Sequence, residues 1–402
     1  MPAIAQDYAR GRNLSVIEQP LPNYDAIGVR VGAFVVWPSL GVTSGATDNV
    51  YINNANKKGD AFFTLEPAVR VVSNWSTHQF SLAGNAELRR HAHETLRDQN
   101  TWYINTQSRI DVTREVRVFA QFQANHAAES PYADDITSNV SVLSQYKRTA
   151  PSLRVERQAG RTRFVGTAER VDYRFNTLVF EDGSTRSQRE RDRTINRFAA
   201  QGEFAISPSV AFYVQVNHDA TDYLALRASG VANRDSAATS LVLGTNFDLA
   251  GLMRGTIGAG YVRRNYDATR YADVSGVSLQ SQFDFFLSPL TTVSLTAQSL
   301  LQDANIGNGG AYRDTRYGLR ADHALRRNLI LTMTATRARQ KLLEANSVAT
   351  VTLAGLSGYY QSNRSIGIIA GVQYGRSRPG GTTSLGLPFD EMRGQVSVRI
   401  RR

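Results

Sequence analysis

The sequence contains no cysteine, which excludes a disulfide scaffold, thiolate zinc sites and a cysteine nucleophile. No run of about 18 apolar residues occurs, so no α-helix of this chain can span a membrane. Proline is sparse, at 11 residues, and almost no segment carries a 3.6-residue apolar stripe. Six histidines are scattered. His91-x-His93 could share a strand face and hold a metal, but no third ligand is evident. There is no Gly-x-Ser-x-Gly elbow. Gly258-x-Gly260 lacks a third glycine and does not open a helix, so it is not a dinucleotide loop. No cofactor and no metal is expected, and the chain does not read as an enzyme.

What is present is a surplus of positive charge. Lys and Arg number 46 against 35 Asp and Glu, a formal net charge of +11. Hydrophobic residues make up 42% and the mean hydropathy is −0.32. The basic surplus admits nucleic acid, anionic sugars or the phosphates of lipid A as partners. The bases are spread along the chain rather than clustered on one element, which argues against nucleic acid. The densest charge run, residues 186–193, reads as a loop that meets phosphorylated lipopolysaccharide or solvent. At the start, Ala3-Ile4-Ala5 is the small-x-small pattern that signal peptidase accepts. The mature chain is therefore expected to begin near Gln6, with residues 1–5 a signal-peptide remnant.

The dominant signal is a period of two. In residues 116–125, Val118, Ala120, Phe122 and Ala124 oppose Arg117, Gln121, Gln123 and Asn125. In 210–218, Phe212, Val214 and Val216 oppose Gln215 and Asn217. In 290–302, Val293, Leu295 and Ala297 alternate with Ser294, Thr296 and Gln298. In 365–374, Ile366, Ile368, Ala370, Val372 and Tyr374 oppose Gly367, Gly371 and Gln373. Such alternation gives a strand one apolar and one polar face. Short connections (74–76, 113–115, 159–161, 207–209, 249–252, 287–289, 325–328 and 361–364) alternate with longer polar ones (45–60, 128–149, 177–192, 223–234, 303–311 and 378–390). The count comes to about 18 strands of roughly 9–15 residues, the pattern of an outer-membrane barrel.

The apolar faces need an apolar cover. A sandwich would bury them on a second sheet, and a propeller would repeat about every 40–50 residues, a repeat that is not found. A barrel in lipid turns them outward and leaves no strand edge unpaired. The expected architecture is all-β, a transmembrane antiparallel β-barrel of about 18 strands over residues 30–402, with a water-filled lumen. Short turns should be periplasmic and long loops extracellular. Residues 6–29, with Pro20 and Pro22 and no periodicity, are expected to form a flexible periplasmic segment.

Several stretches resemble a known family. Residues 35–52 read VVWPSLGVTSGATDNVYI; Asp60 and Pro67 follow, then Ser73-Asn74-Trp75-Ser76-Thr77-His78 at the next turn. Residues 233–267 open on Arg-Asp-Ser, carry paired glycines and close on Tyr-x-x-Arg-x-Tyr. These are similar to the outer-membrane β-barrel porins often encoded in exopolysaccharide clusters of Gram-negative bacteria, the β-barrel porin 2 or EpsL-like group. The resemblance covers about residues 30–400. It implies an outer-membrane pore tied to polysaccharide secretion, with a periplasmic polysaccharide-export protein as partner and no catalytic residues. With the basic lumen that parity gives, the expected cargo is a polar, anionic exopolysaccharide. The alternative is a diffusion porin for small anionic solutes. Lower-ranked alternatives are a rim enzyme and a structural surface anchor.

Parity gives candidate site residues. If apolar positions face lipid, Arg89, Arg109, Arg117, Arg154, Arg197, Arg320, Arg393 and Arg399 face the lumen, with the fewer acids Glu87, Asp111, Glu156, Glu203 and Asp322. Free guanidinium groups there would favour anionic solutes; paired with those acids they would instead stiffen the wall. Trp75, Trp102, Tyr261, Tyr266, Tyr271, Phe285, Tyr359 and Tyr374 are candidate girdle aromatics at the headgroups of outer-membrane lipid and lipopolysaccharide. Trp37 shares parity with polar Ser39 and is expected to point inward. Inward Tyr103 and Tyr213 could stack on sugars, or simply fill the wall. Asp134-Asp135 and His218-Asp219 both fall near the rim, where an Asp pair facing a His-Asp pair could activate water. Adjacent strand residues point to opposite faces, however, so solvated charge is the plainer account.

Overall fold

The computed structural model describes residues 13–129, 144–180, 182–227, 230–249, 251–303, 311–343, 347–381 and 388–402. Alternation produces long strands, as expected. In chain order these are β1 (Phe34–Thr47), β2 (Asp60–Ser73), β3 (Gln79–His91), β4 (Gln99–Asp111), β5 (Val116–Ala128) and β6 (Gln145–Ala159). Next come β7 (Thr162–Phe175), β8 (Arg193–Ser207), β9 (Val210–Tyr223), β10 (Ser236–Leu249), β11 (Met253–Tyr266) and β12 (Val274–Ser288). The last six are β13 (Thr291–Asp303), β14 (Ala311–Arg326), β15 (Leu329–Leu342), β16 (Ser347–Gln361), β17 (Ile366–Gly381) and β18 (Phe389–Arg401). Each pairs antiparallel with its neighbour in sequence. β1 closes the sheet on β18 in the register Ser39↔Arg401 to Thr47↔Arg393. The result is a closed barrel of 18 antiparallel strands. Closure satisfies the backbone of the first and last strands, which an open sheet would leave as edges.

The two faces are chemically opposite. The outer face exposes large apolar side chains, among them Phe164, Phe212, Val214, Leu243, Val277, Leu295, Leu356 and Val396. Apart from Val171, the large side chains that are fully buried are polar, including Glu391, Asp314, Asp322, Asn246 and Thr64. This inverts the distribution of a water-soluble fold and suits a wall with lipid outside and water inside.

Connections are short at one end, as in Gly160-Arg161 between β6 and β7, and long at the other. Both the chain entering β1 and the end of β18 lie at the short-turn end, since Asn74 N donates to Ala33 O and Arg402 N to Pro38 O.

The stretch before β1 differs from expectation. Residues 6–29 read as flexible, yet the described part from Asn13 onward is tied to the inner wall. Asn13 Nδ2 donates to Asp248 and to Leu249 O (3.1 Å), and Gly251 N donates to Asn13 Oδ1 (2.9 Å). Val16 N donates to Thr292 Oγ1 at 3.1 Å and Gln19 Nε2 to Pro289 O at 3.0 Å. Arg364 then donates to Pro22 O, Arg401 to Tyr24 O and Trp37 Nε1 to Ala26 O. Val29–Val31 finally pairs with the start of β1. The segment therefore follows the inner rim from β10 round to β1. Its polar backbone satisfies inward groups of the wall, which composition alone does not reveal.

Candidate functional site

All eight arginines singled out by parity lie on inward positions. Register carries the assignment from strand to strand: Arg89 pairs with buried Thr64, Arg117 with Asp111, Arg154 with Phe119, Arg197 with Asp219, and Arg393 with Thr47. The five acids assigned inward are there too. Residues missed on the inner face include Arg148, Arg163, Arg254, Arg264, Arg316, Glu66, Glu169, Asp284, Asp314 and Glu391.

None of the eight is a free guanidinium. Arg89 lies 2.7 Å from Glu87, Arg154 2.8 Å from Glu156 and Arg197 2.8 Å from Glu169. Arg320 lies 2.7 Å from Asp322 and Arg393 2.8 Å from Glu391. Arg109 and Arg117 share Asp111 at 3.3 and 3.7 Å, and Arg399 reaches Glu66 at 3.9 Å. Arg163 bridges Glu156 (3.0 Å) and Glu203 (3.6 Å), joining β6, β7 and β8. Many pairs are two residues apart on one strand, where side chains share a face. That spacing was visible in sequence as Glu87-x-Arg89, Arg154-x-Glu156, Asp314-x-Arg316, Arg320-x-Asp322 and Glu391-x-Arg393.

Several of the carboxylates are almost inaccessible. Glu391 is 1% exposed and also accepts from Thr47 Oγ1 at 2.6 Å. Asp322 accepts from Thr332 Oγ1 at 2.7 Å as well as from Arg320. Near Glu391, Gly45 of β1 has no side chain, and the Phe62 ring crosses the strand in that space. The ring is flanked by Arg89 at 4.7 Å and Arg393 at 5.9 Å. The wall is thus a lattice of ion pairs and stacked arginines.

The charges do not cancel completely. Inward arginines on the strands outnumber inward carboxylates. Arg70 faces the lumen stacked on Trp37 (5.1 Å) near the short-turn end. At the opposite end, Arg193 lies over Tyr173 at 4.7 Å and donates to Arg191 O. Among the described residues neither has a carboxylate within 4.0 Å. The field of such charges is focused by the low-dielectric wall.

The aromatics divide by parity. Trp102, Tyr261, Phe285 and Tyr374 face outward, and Trp75 is exposed in a short turn. Tyr266 and Tyr271 are corrections: they are buried together under the long-loop end with Val274 and Ala311. Tyr359 is a third, inward and against Gly367. Trp37 is inward. Tyr213 lies over Gly244 and Gly258, which together form a bed for its ring, while Gly260 faces Val242 and Ser278. At 5% exposure Tyr213 has no face left for a sugar.

The catalytic alternatives do not assemble among the described residues. His218 faces outward beside Thr239 Oγ1 (3.0 Å) while Asp219 faces inward. Asp134 and Asp135 lie outside the described residues. His93 turns to Asp60 (3.0 Å), and no group of three metal-ligating side chains occurs among the described residues. The charge run at 186–193 is not all solvated either: Arg191 is buried against Glu129 and over Phe175 (4.0 Å). Other long loops tie to one another at the same end. Asn233 donates to Glu190 O (2.7 Å) and Arg227 to Tyr271 Oη (3.2 Å).

At the short-turn end, Glu18 of the inner segment accepts from Arg254 Nη2 at 2.9 Å, and Arg254 also binds Asp284 at 2.9 Å. Burial works against ionisation of Glu18. Hydrogen bonds from the Ser15 backbone and hydroxyl, with the Arg254 charge, outweigh it and hold the carboxyl below its usual range. A depressed folded-state pKa means the tether's contribution is complete above the ordinary carboxylate pKa and is lost as pH falls through the lowered one. A spin label on Leu14→Cys, a unique cysteine in this chain, should be immobile at neutral pH and gain mobility in acid. In Glu18→Gln the mobility should stop depending on pH.

Residues 21–402 match the family described as "Putative beta-barrel porin 2". No curated protein matches the sequence. Solved structures similar to the chain include Pseudomonas aeruginosa OccK2 (OpdF), crystallised with glucuronate, 12% identical over 91% of this chain and 98% of that one, with a TM-score of 0.48. Acinetobacter baumannii OccAB3 is 10% identical over 92% of this chain and 100% of its own, with a TM-score of 0.48. Pseudomonas aeruginosa OpdL is 13% identical over 92% and 99%, with a TM-score of 0.47.

Proposed function

The chain belongs to the β-barrel porin 2 family, and on that footing we propose that it is a passive channel for small anionic solutes. Its place is the Gram-negative outer membrane, and family and fold make it a channel rather than an enzyme. The observation that supports the anionic reading is the unbalanced inner charge: Arg70 and Arg193 stand near opposite ends of a wall whose other arginines are mostly matched by acids. A solute anion would meet a positive potential at each end and a neutral, hydrogen-bonding wall between.

This reading is preferred to export of an exopolysaccharide, which the resemblance to cluster-encoded porins implies. The segment from Asn13 to Ala26 runs along the inner rim at the short-turn mouth. A polymer would have to thread past it, whereas a small solute need not displace it. A periplasmic export protein belongs to the polymer reading alone.

Planar-bilayer recording of the purified protein tests the choice. The expected result is a steady conductance without any partner, an anion-side reversal potential in a salt gradient, and a size cut-off for sugars. A pore that stays shut until a periplasmic partner is added would favour polymer export. A cation-side reversal potential would remove the anionic reading.

A further inference from the structure

We propose that the outward face of β15, β16 and β17 at the long-loop end binds the phosphorylated headgroup of an outer-leaflet lipid. The proposal rests on the outer-membrane placement given above, with the long loops outside.

Two rows of side chains cross these strands. Arg337 of β15 pairs with Thr352 of β16, which pairs with Arg376 of β17. One step nearer the loops, Arg339 pairs with Thr350, which pairs with Arg378. All six point outward, because they share parity with the exposed Met333, Leu356 and Val372 lower on the same strands. Neighbouring strands lie about 4.8 Å apart, so each row sets two guanidinium stems about 10 Å apart with a hydroxyl between them. Long flexible arginines at that separation can converge on one tetrahedral anion, and the threonine can donate to it.

Among the described residues the charge of this patch is met only in part. Arg337, Arg339 and the adjacent Lys341 are exposed, with no hydrogen bond or ion pair among the described residues. Arg376 and Arg378 share a single carboxylate, Asp390, at 3.4 and 3.7 Å. Outward bases at the same end of other strands mostly have their own acids: Arg170 and Arg174 with Asp172, Arg263 with Asp273, and Arg90 with Asp98. At the short-turn end, Arg157 pairs with Glu115, and Arg326, opposite Leu329 at the end of β14, stands singly. Single outward bases without an acid occur elsewhere, such as Lys147 and Arg326, but among the described residues five bases against one carboxylate gather in this sector.

Height selects a lipid as the occupant. Tyr317 stands beside Arg337 in the first row, Tyr374 lies one step below in a row with Ala335 and Ala354, and the next row is apolar through Met333, Leu356 and Val372. Aromatic residues mark the headgroup level of a barrel. The arginines sit at and just beyond that mark, where the phosphates of the outer leaflet lie. Charge and level therefore agree on an anionic lipid headgroup.

Native mass spectrometry of the full chain, titrated with diphosphoryl lipid A, the same lipid dephosphorylated, and inorganic phosphate, tests this. Wild type should prefer the diphosphoryl form by about tenfold or more, on the scale of two or more charge contacts at a membrane surface. The variant R337Q/R339Q/R376Q/R378Q should lose the preference, while R157Q keeps it. Conductance should be unchanged in both. If the quadruple variant does not insert, R339Q alone should lose part of the preference, and the wild-type comparison needs no variant. Absence of a preference in wild type, or its survival in the quadruple variant, overturns the site. Inorganic phosphate competing as well as the lipid would make it a free-anion site and overturn the lipid assignment. A chain that keeps the preference but does not conduct defeats the channel function instead, so the two failures are separable.

Discussion

Leu295→Arg should destabilise the barrel by about 2–4 kcal/mol, the cost of a guanidinium near the middle of the bilayer, whereas Thr296→Arg next to it should cost about 0.5 kcal/mol, in the range of ordinary surface changes. The contrast follows from the period of two. Leu295 is 39% exposed and pairs with Phe283 and Leu319 on the outer face. Thr296 points into the lumen, where water solvates a new charge. In lipid the guanidinium of Leu295→Arg must either lose that solvation or drag water in. Urea unfolding from lipid vesicles, with both variants in the same lipid, measures the difference. Equal costs would mean that both faces are wet, and a larger cost at Thr296 would mean that the faces are reversed.

The fold was legible because each strand is one chemical alternation repeated, and alternation is local. Val118 against Gln121, or Ile368 against Gly371, needs no knowledge of distant residues. Closure was legible for a related reason: so many one-sided strands have no other apolar surface to cover them. The inward positions of Arg89, Arg109 and Arg393 came from the same parity. What parity does not carry is the partner across the sheet. Arg197 meets Glu169 only because β8 pairs with β7 in a particular register. Residue type is a weaker guide than parity. Tyr266 and Tyr359 look like girdle aromatics by type, yet both point inward, against buried neighbours or glycine. Least legible was the segment after Asn13. Asn13 reaches Asp248 across 235 positions, and no local pattern can announce a contact of that span.

The quadruple variant Arg109→Ser, Arg117→Ser, Arg197→Ser and Arg393→Ser should swing selectivity toward cations by several-fold, and its stability should fall more than four lumen substitutions would if the arginines were free. The four substitutions remove four positive charges from beside three carboxylates. Asp111 loses both of its arginines, Glu169 keeps Arg148 at 3.8 Å, and Glu391 keeps Thr47. Single changes are screened over about 8–10 Å at physiological salt, so only the sum should be visible in the reversal potential. The stability loss should be concentrated at position 393. Glu391 is 1% exposed, and leaving a buried carboxylate without its cation costs about 3 kcal/mol. Glu391→Gln combined with Arg393→Gln avoids that cost by removing both charges, and should restore most of the stability. A second pair-neutral change, Arg320→Gln with Asp322→Asn, should leave the reversal potential where wild type has it. Arg70→Gln with Arg193→Gln, which have no carboxylate beside them among the described residues, should shift it toward cations with little loss of stability. If the pair-neutral change moves the potential as far as Arg70→Gln with Arg193→Gln does, selectivity is set by the shape of the ion-pair lattice rather than by its unbalanced charge.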